Sequence, residues 1–132
     1  HRKRLKEPEI STRRFFETVS VLGRSLGPIL FQLPPFFAAN TARLAEFLEA
    51  IPPGGRYAFE FRHDSWFNPE VYALLRRHNA ALCAWDLNFQ QSPVVETGDF
   101  HYIRLHGPGE AYRGEYPEPA LRAWAGRLAE FI

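Results

Sequence analysis

The sequence predicts an α/β fold in which about four parallel strands alternate with helices, forming part of a TIM (β/α)8-type barrel. Three observations carry that expectation. Gly and Pro punctuate the chain at regular intervals, and between them helical hydrophobic spacing alternates with short apolar runs. One parity of the strands is uniformly apolar. The other turns polar at the carboxyl end of every strand, where barrels of this type carry their chemistry.

Ser11 or Thr12 caps a first helix reaching about Arg24, with Phe15, Phe16, Val19 and Leu22 along one stripe and Gly23 or Gly27 as its stop. A strand follows over 29–33. Asn40 or Thr41 caps a helix bearing Leu44, Phe47, Leu48 and Ile51, and the Pro-Pro-Gly-Gly turn at 52–55 closes it. The second strand is 56–61. Asn68, with Pro69 at the first helical position, opens a helix whose buried stripe is Val71, Leu74 and Leu75 and whose end is His78 and Asn79. The third strand is 81–86. A loop rich in Gln, Ser and Pro leads to a fourth strand over 100–106, and a last helix, about 119–132, packs Leu121, Trp124, Leu128 and Phe131.

Successive strand side chains face opposite sides of a sheet, so parity sorts these strands into two faces. One face carries Ile29, Phe31, Leu33, Tyr57, Phe59, Phe61, Cys83, Trp85, Ile103 and Leu105, which suits a surface covered by helices. The opposite face carries Gln32, Glu60, Arg62, Asp86, Arg104 and His106 beside Leu30, Ala58, Leu82, Ala84 and Tyr102. A doubly wound open sheet would be apolar on both faces, whereas a barrel lumen turns polar toward its mouth. A whole barrel needs more than about 200 residues. The 132 residues are therefore expected to be one domain, the central to C-terminal part of a barrel, with strands missing before residue 1 and after residue 132. An isolated piece of this kind would expose strand edges and is expected to self-associate.

Composition narrows the function class. The chain is 45% hydrophobic, with 16 Lys or Arg against 15 Asp or Glu, which is the balance of an ordinary globular protein. Basic residues concentrate in the first fourteen positions and leave the remainder mildly acidic. A broad phosphate-binding face is absent, so nucleic acid is a disfavoured partner. No apolar run reaches the ~18 residues of a membrane span, and the start, HRKRLKEPE, lacks the apolar centre of a signal peptide. With a single cysteine, Cys83, the expectation is a cytoplasmic protein with neither a membrane partner nor an internal disulfide framework.

The segments FQLPP (31–35), EFRHDSWF (60–67), CAWD (83–86) and FHYIRLHG (100–107), with Tyr112, Tyr116 and LRAWA (121–125), resemble the YecE-like family of bacterial and archaeal proteins. The resemblance covers nearly the whole chain in the right order. It implies a TIM-barrel-like fold and a function that is not settled. The family's usual Gly-Thr-Ser-Gly-Trp-like beginning and its later Phe-x-Asn-Asp-like strand have no counterpart here, and His1 resembles the His that ends a Thr-His motif on an earlier strand.

Glu60, Asp86 and His106 are the catalytic candidates, because a carboxylate walled in by a barrel can act as general acid or base with an imidazole as its proton-transfer partner. Asp86 would orient one of the other two. Arg62 and Arg104 read as a clamp for a carboxylate or phosphate. Gln32, His63, Trp66, Tyr112 and Tyr116, at strand ends or in the loops that follow, complete the candidate substrate-binding set. Gly107 and Gly109 could let backbone amides approach a phosphate. The favoured expectation is a barrel enzyme, hydrolase or lyase in type, acting on a small anionic ligand, phosphorylated or carboxylated. One alternative is a metal-assisted phosphodiesterase or nucleic-acid-processing barrel, with His63, Asp86, His106 and Glu60 holding a divalent ion as cofactor. The other is a non-catalytic binding or scaffold protein in which the charged cluster is a structural salt-bridge network.

Overall fold

The computed structural model describes residues 16–19, 22–23 and 26–131. Residues 16–19 are helical, within the first predicted helix. The start of that helix, the basic run over 1–14 and His1 lie outside the described residues. From there the chain alternates as expected: β1 (Ile29–Gln32), α1 (Thr41–Ala50), β2 (Tyr57–Glu60), a 3-10 turn (Asp64–Trp66), α2 (Pro69–Arg77), β3 (Ala81–Leu87), β4 (Gln90–Gln91), β5 (Tyr102–Leu105) and α3 (Glu118–Ala129).

Local chemistry sets the helix boundaries. The side chain of Asn40 accepts from the Arg43 amide at 3.0 Å, and that of Asn68 accepts from the Val71 amide at 3.0 Å, so both predicted caps form. Pro69 occupies the start of α2, where its missing N–H is not needed, and Arg76 and Arg77 lie in its last turn, favourable to the helix dipole. His78 is the C-cap residue, and Asn79 turns the chain at a φ of 51°.

β1, β2, β3 and β5 are parallel, with β1 on β2, β2 on β3 and β3 on β5. β4 is an addition that the sequence reading omits. Asn88 and Phe89 both take positive φ, 57° and 63°, and fold the end of β3 back into a two-residue hairpin. No helix joins β4 to β5. Instead two hydroxyls of that connection complete β3's backbone: Ser92 Oγ accepts from the Trp85 amide at 2.8 Å, and Thr97 Oγ1 accepts from the Leu82 amide at 2.8 Å while donating to the Ala80 carbonyl at 2.7 Å.

The core lies between one face of the sheet and the helices. Phe31, Phe47 and Phe59 meet in T-shaped and tilted contacts, and Phe61 stacks on Trp66 with ring centroids 4.4 Å apart and planes 4° from parallel. Leu44, Leu48, Val71 and Leu75 close over them. Each such side chain contributes about 1.5–3 kcal/mol through burial. Leu121 departs from its predicted place in the core: it is 45% exposed, whereas Trp124 on the same helix is buried. No helix among the described residues is long and apolar enough to cross a membrane.

Candidate functional site

Register decides which side chains meet. Ile29, Leu30, Phe31 and Gln32 stand opposite Tyr57, Ala58, Phe59 and Glu60, so Gln32 and Glu60 share a face. On β3, however, Leu82 stands opposite Phe59 and Ala81 opposite Ala58. That places Leu82, Ala84 and Asp86 on the helix-covered side, and Cys83 and Trp85 on the side of Glu60. The β5 register agrees, pairing Cys83 with Tyr102, Trp85 with Arg104 and Asp86 with Leu105. The predicted parity of this one strand is therefore reversed. A one-residue slip exchanges every side chain between faces, and β3 is buried on both, so its apolar pattern does not distinguish them.

The site is built around Glu60, which is fully buried. Its Oε1 forms an ion pair with Arg62 Nη2 and lies 3.7 Å from His106 Nε2. Its Oε2 accepts from Arg104 Nη1 at 2.7 Å. Arg104 reaches from β5 past β3 to make this bond, and the same nitrogen lies 3.4 Å from Gln32 Oε1. Four predicted residues, Gln32, Glu60, Arg104 and His106, thus converge from three strand ends, with Arg62 joining them from the residue pair beyond β2.

Trp85 and Cys83 are members of this cluster that sequence reasoning assigned elsewhere. The Arg62 guanidinium lies over the Trp85 ring, 4.6 Å from its centroid, and Trp85 Nε1 donates to the Phe61 carbonyl at 2.8 Å. The ring is a fixed platform for the cation. Cys83 Sγ lies 3.9 Å from Glu60 Oε2, and burial, helped by the Glu60 charge, pushes its thiol up to about 12. The signal that could have placed both was the pairing register rather than residue polarity.

His106 is held as the neutral imidazole. Arg62 Nη2 donates to its Nε2 at 2.9 Å, and a guanidinium has no lone pair to offer in return, so that nitrogen is the acceptor. Burial lowers its pKa from the ordinary value, and the charges of Arg62 and Arg104 lower it further. Arg62 Nη1 is buried and finds no hydrogen-bond acceptor among the described residues.

Asp86 does not join the cluster. Its Oδ2 accepts from Gln91 Nε2 at 3.1 Å, on the hairpin that β4 creates, so it does not orient Glu60 or His106. The consequence is electrostatic: the face holds two guanidiniums against one carboxylate. The Arg104 side chain is 32% exposed, whereas the Arg62 side chain is only 6% exposed.

The loops sort the remaining candidates. Trp66 is fully buried, stacked on Phe61, with Nε1 donating to the Phe37 carbonyl at 2.7 Å, so it belongs to the core and offers no open ring. His63 is turned aside, its Nδ1 bonded to Ser65 Oγ at 2.8 Å. The four residues of the metal alternative are consequently scattered, with only Glu60 and His106 adjacent, and among the described residues no three His, Cys, Asp or Glu side chains form a group able to hold a metal ion. Tyr116 Oη accepts from the Gly107 amide at 3.0 Å, which engages the backbone donor that the Gly-Pro-Gly segment would have offered a phosphate. Tyr112 is 73% exposed and meets the His106 ring edge-on at 5.2 Å. Arg104, His106, Tyr112, Tyr116 and Leu121 line one open cleft, together with Arg113, which pairs with Glu110, and Glu115.

Parallel strands alternating with helices, with polar side chains gathered at the strand ends, define an α/β protein of TIM-barrel-like type. Residues 1–131 match the family model described as protein of unknown function DUF72, and the chain belongs to that family. It is similar in structure to a DUF72 family protein of Thermotoga maritima MSB8, with a TM-score of 0.80 and 26% identity over 96% of this chain and 55% of that one. A DUF72 family protein of Enterococcus faecalis V583 shares the fold, with a TM-score of 0.69 and 17% identity over 88% of this chain and 54% of that one. The chain thus spans about half the length of these solved relatives. No curated protein matches it.

Proposed function

We propose that the Glu60 cluster is the anion-binding part of an enzyme site that acts on a small phosphorylated or carboxylated ligand by acid and base chemistry. The observation that carries the proposal is the charge imbalance on the sheet face: Asp86 lies across the sheet and Glu60 alone faces Arg62 and Arg104, while the cleft beyond adds Glu115 and the paired Arg113 and Glu110. An excess cation beside a cleft favours an anion. Arg104 is the group positioned to receive it, since its side chain is partly exposed while that of Arg62 is covered. Glu60 holds both arginines in place. His106 is the residue that would take a proton from a bound ligand, once the Arg62 hydrogen bond that engages its acceptor nitrogen is released. In the same reading the chain is a single domain, the central to C-terminal part of a barrel, and its longer relatives match that view in length.

Titration of the full chain with inorganic phosphate and with succinate, following the His106 ring by NMR, tests the proposal. A saturable shift that Arg104→Met abolishes supports it. No saturable shift with either anion overturns it.

A further inference from the structure

We infer that the anion taken by this site is carried on a planar aromatic ring, and that Tyr112 is the residue that selects for it. The inference rests on the anion-binding reading above and adds the class of ligand. Its basis is a ring that the backbone holds open at a cost. Tyr112 has a φ of 61°, in the left-handed region that a bulky residue rarely adopts. Folding recovers little of that cost by burial, since the residue stays 73% exposed with its ring edge-on to His106. The surrounding loop is nevertheless constrained. The Tyr112 amide donates to the His106 carbonyl, Tyr116 Oη holds the Gly107 amide, and a side chain at Gly107 would lie 2.6 Å from the Glu110 carbonyl oxygen. These contacts restrain the backbone that carries Tyr112.

The position of the ring gives it a purpose. Tyr112, Tyr116 and the half-exposed Leu121 line the same cleft as the partly exposed Arg104 side chain and His106. Arg113, which also reaches the cleft, is paired with Glu110. A ligand entering this cleft meets the Arg104 cation and, beside the Glu115 carboxylate, the aromatic and apolar side chains of Tyr112, Tyr116 and Leu121. A flat ring bearing a phosphate or carboxylate complements both, because aromatic faces favour offset or edge contacts with another ring beyond what contact area alone supplies.

Calorimetric titration of the full chain with phenyl phosphate, cyclohexyl phosphate and inorganic phosphate separates the two readings. Phenyl phosphate is expected to bind about 3- to 10-fold more tightly than cyclohexyl phosphate, the range an aromatic pair contributes. Tyr112→Phe should retain that preference. Tyr112→Asn, which removes the ring while tolerating positive φ, should bring the two esters to equal affinity. If all three ligands bind but wild type does not distinguish the ring, or if Tyr112→Asn keeps the preference, the selection by Tyr112 is wrong and the anion site stands. If none of the three binds, the anion site fails and this inference fails with it.

Discussion

Arg62 donates through Nη2 to Nε2 of His106 at 2.9 Å, a hydrogen bond that only a neutral imidazole can accept. Burial and the two guanidinium charges keep the proton off that ring. Because the folded pKa lies below the unfolded one, the unfolded chain binds the extra proton first as pH falls. The stability His106 contributes is therefore fully present above its unfolded pKa, about 6.5, and is lost as pH drops from there toward the depressed folded value. Thermal melts across the acid range should fall more steeply for wild type than for His106→Gln, whose amide oxygen can still accept from Arg62. Matching slopes would show that His106 is not the titrating group.

Glu60→Gln should not be structurally silent. Neutralising the carboxylate leaves Arg62, buried, without its counter-charge, a loss of about 3–5 kcal/mol when one member of a buried pair is removed. Denaturant unfolding measures it directly. An unchanged midpoint would mean that the ion pairs around Glu60 contribute nothing to the folded state.

Thr97 tests the hydroxyl that completes β3. Thr97→Val keeps the shape but abandons the Leu82 amide and the Ala80 carbonyl in a buried setting, which costs about 1–3 kcal/mol. Thr97→Ser should restore most of that loss. The comparison reads the hydroxyl separately from the methyl group.

Gly107→Ala adds a methyl where φ is +123° and where the Glu110 and Arg113 carbonyl oxygens would lie 2.6 and 2.8 Å from it. Backbone cannot move aside as a side chain can, so the loop must shift. The expected cost is about 1–3 kcal/mol, accompanied by faster proteolysis between residues 107 and 116. Proteolysis at the wild-type rate would show that the loop does not depend on the glycine.

Cys83 should resist thiol reagents in the native protein. It is fully buried, and its thiol is pushed up to about 12, so hardly any thiolate forms near neutral pH. Alkylation at pH 8 should be slow when folded and fast in denaturant. Rapid native labelling would contradict the packing around Glu60.

The parts of this architecture that were legible in the sequence are those encoded locally. Asn40, and Asn68 followed by Pro69, announce helix starts through chemistry confined to one turn, and both caps form. Glu60, Arg104 and His106 were legible as a group because each ends an otherwise apolar strand. Asp86 was drawn into the group by the same rule, although its strand is offset by one residue relative to β2. Nothing within 81–86 reveals that offset, because pairing between strands fixes it. Trp66 illustrates a second limit. Its loop position suggested an open ring, but a stack on Phe61 and a bond to the Phe37 carbonyl, 29 residues away in sequence, draw it into the core. The β4 hairpin escaped notice because Asn-Phe lacks the glycine that usually marks such a turn.

Arg104 must cross β3 to reach Glu60, and the side chain beneath its path is Cys83. With its thiol kept protonated, this residue contributes size: it is a spacer whose small girth leaves clearance for the arginine to lie across the strand. Alanine or serine at position 83 would keep that clearance. Leucine would fill it and lift the guanidinium away from the carboxylate, so a substitution with no charge of its own would rewrite the electrostatics of the whole cluster.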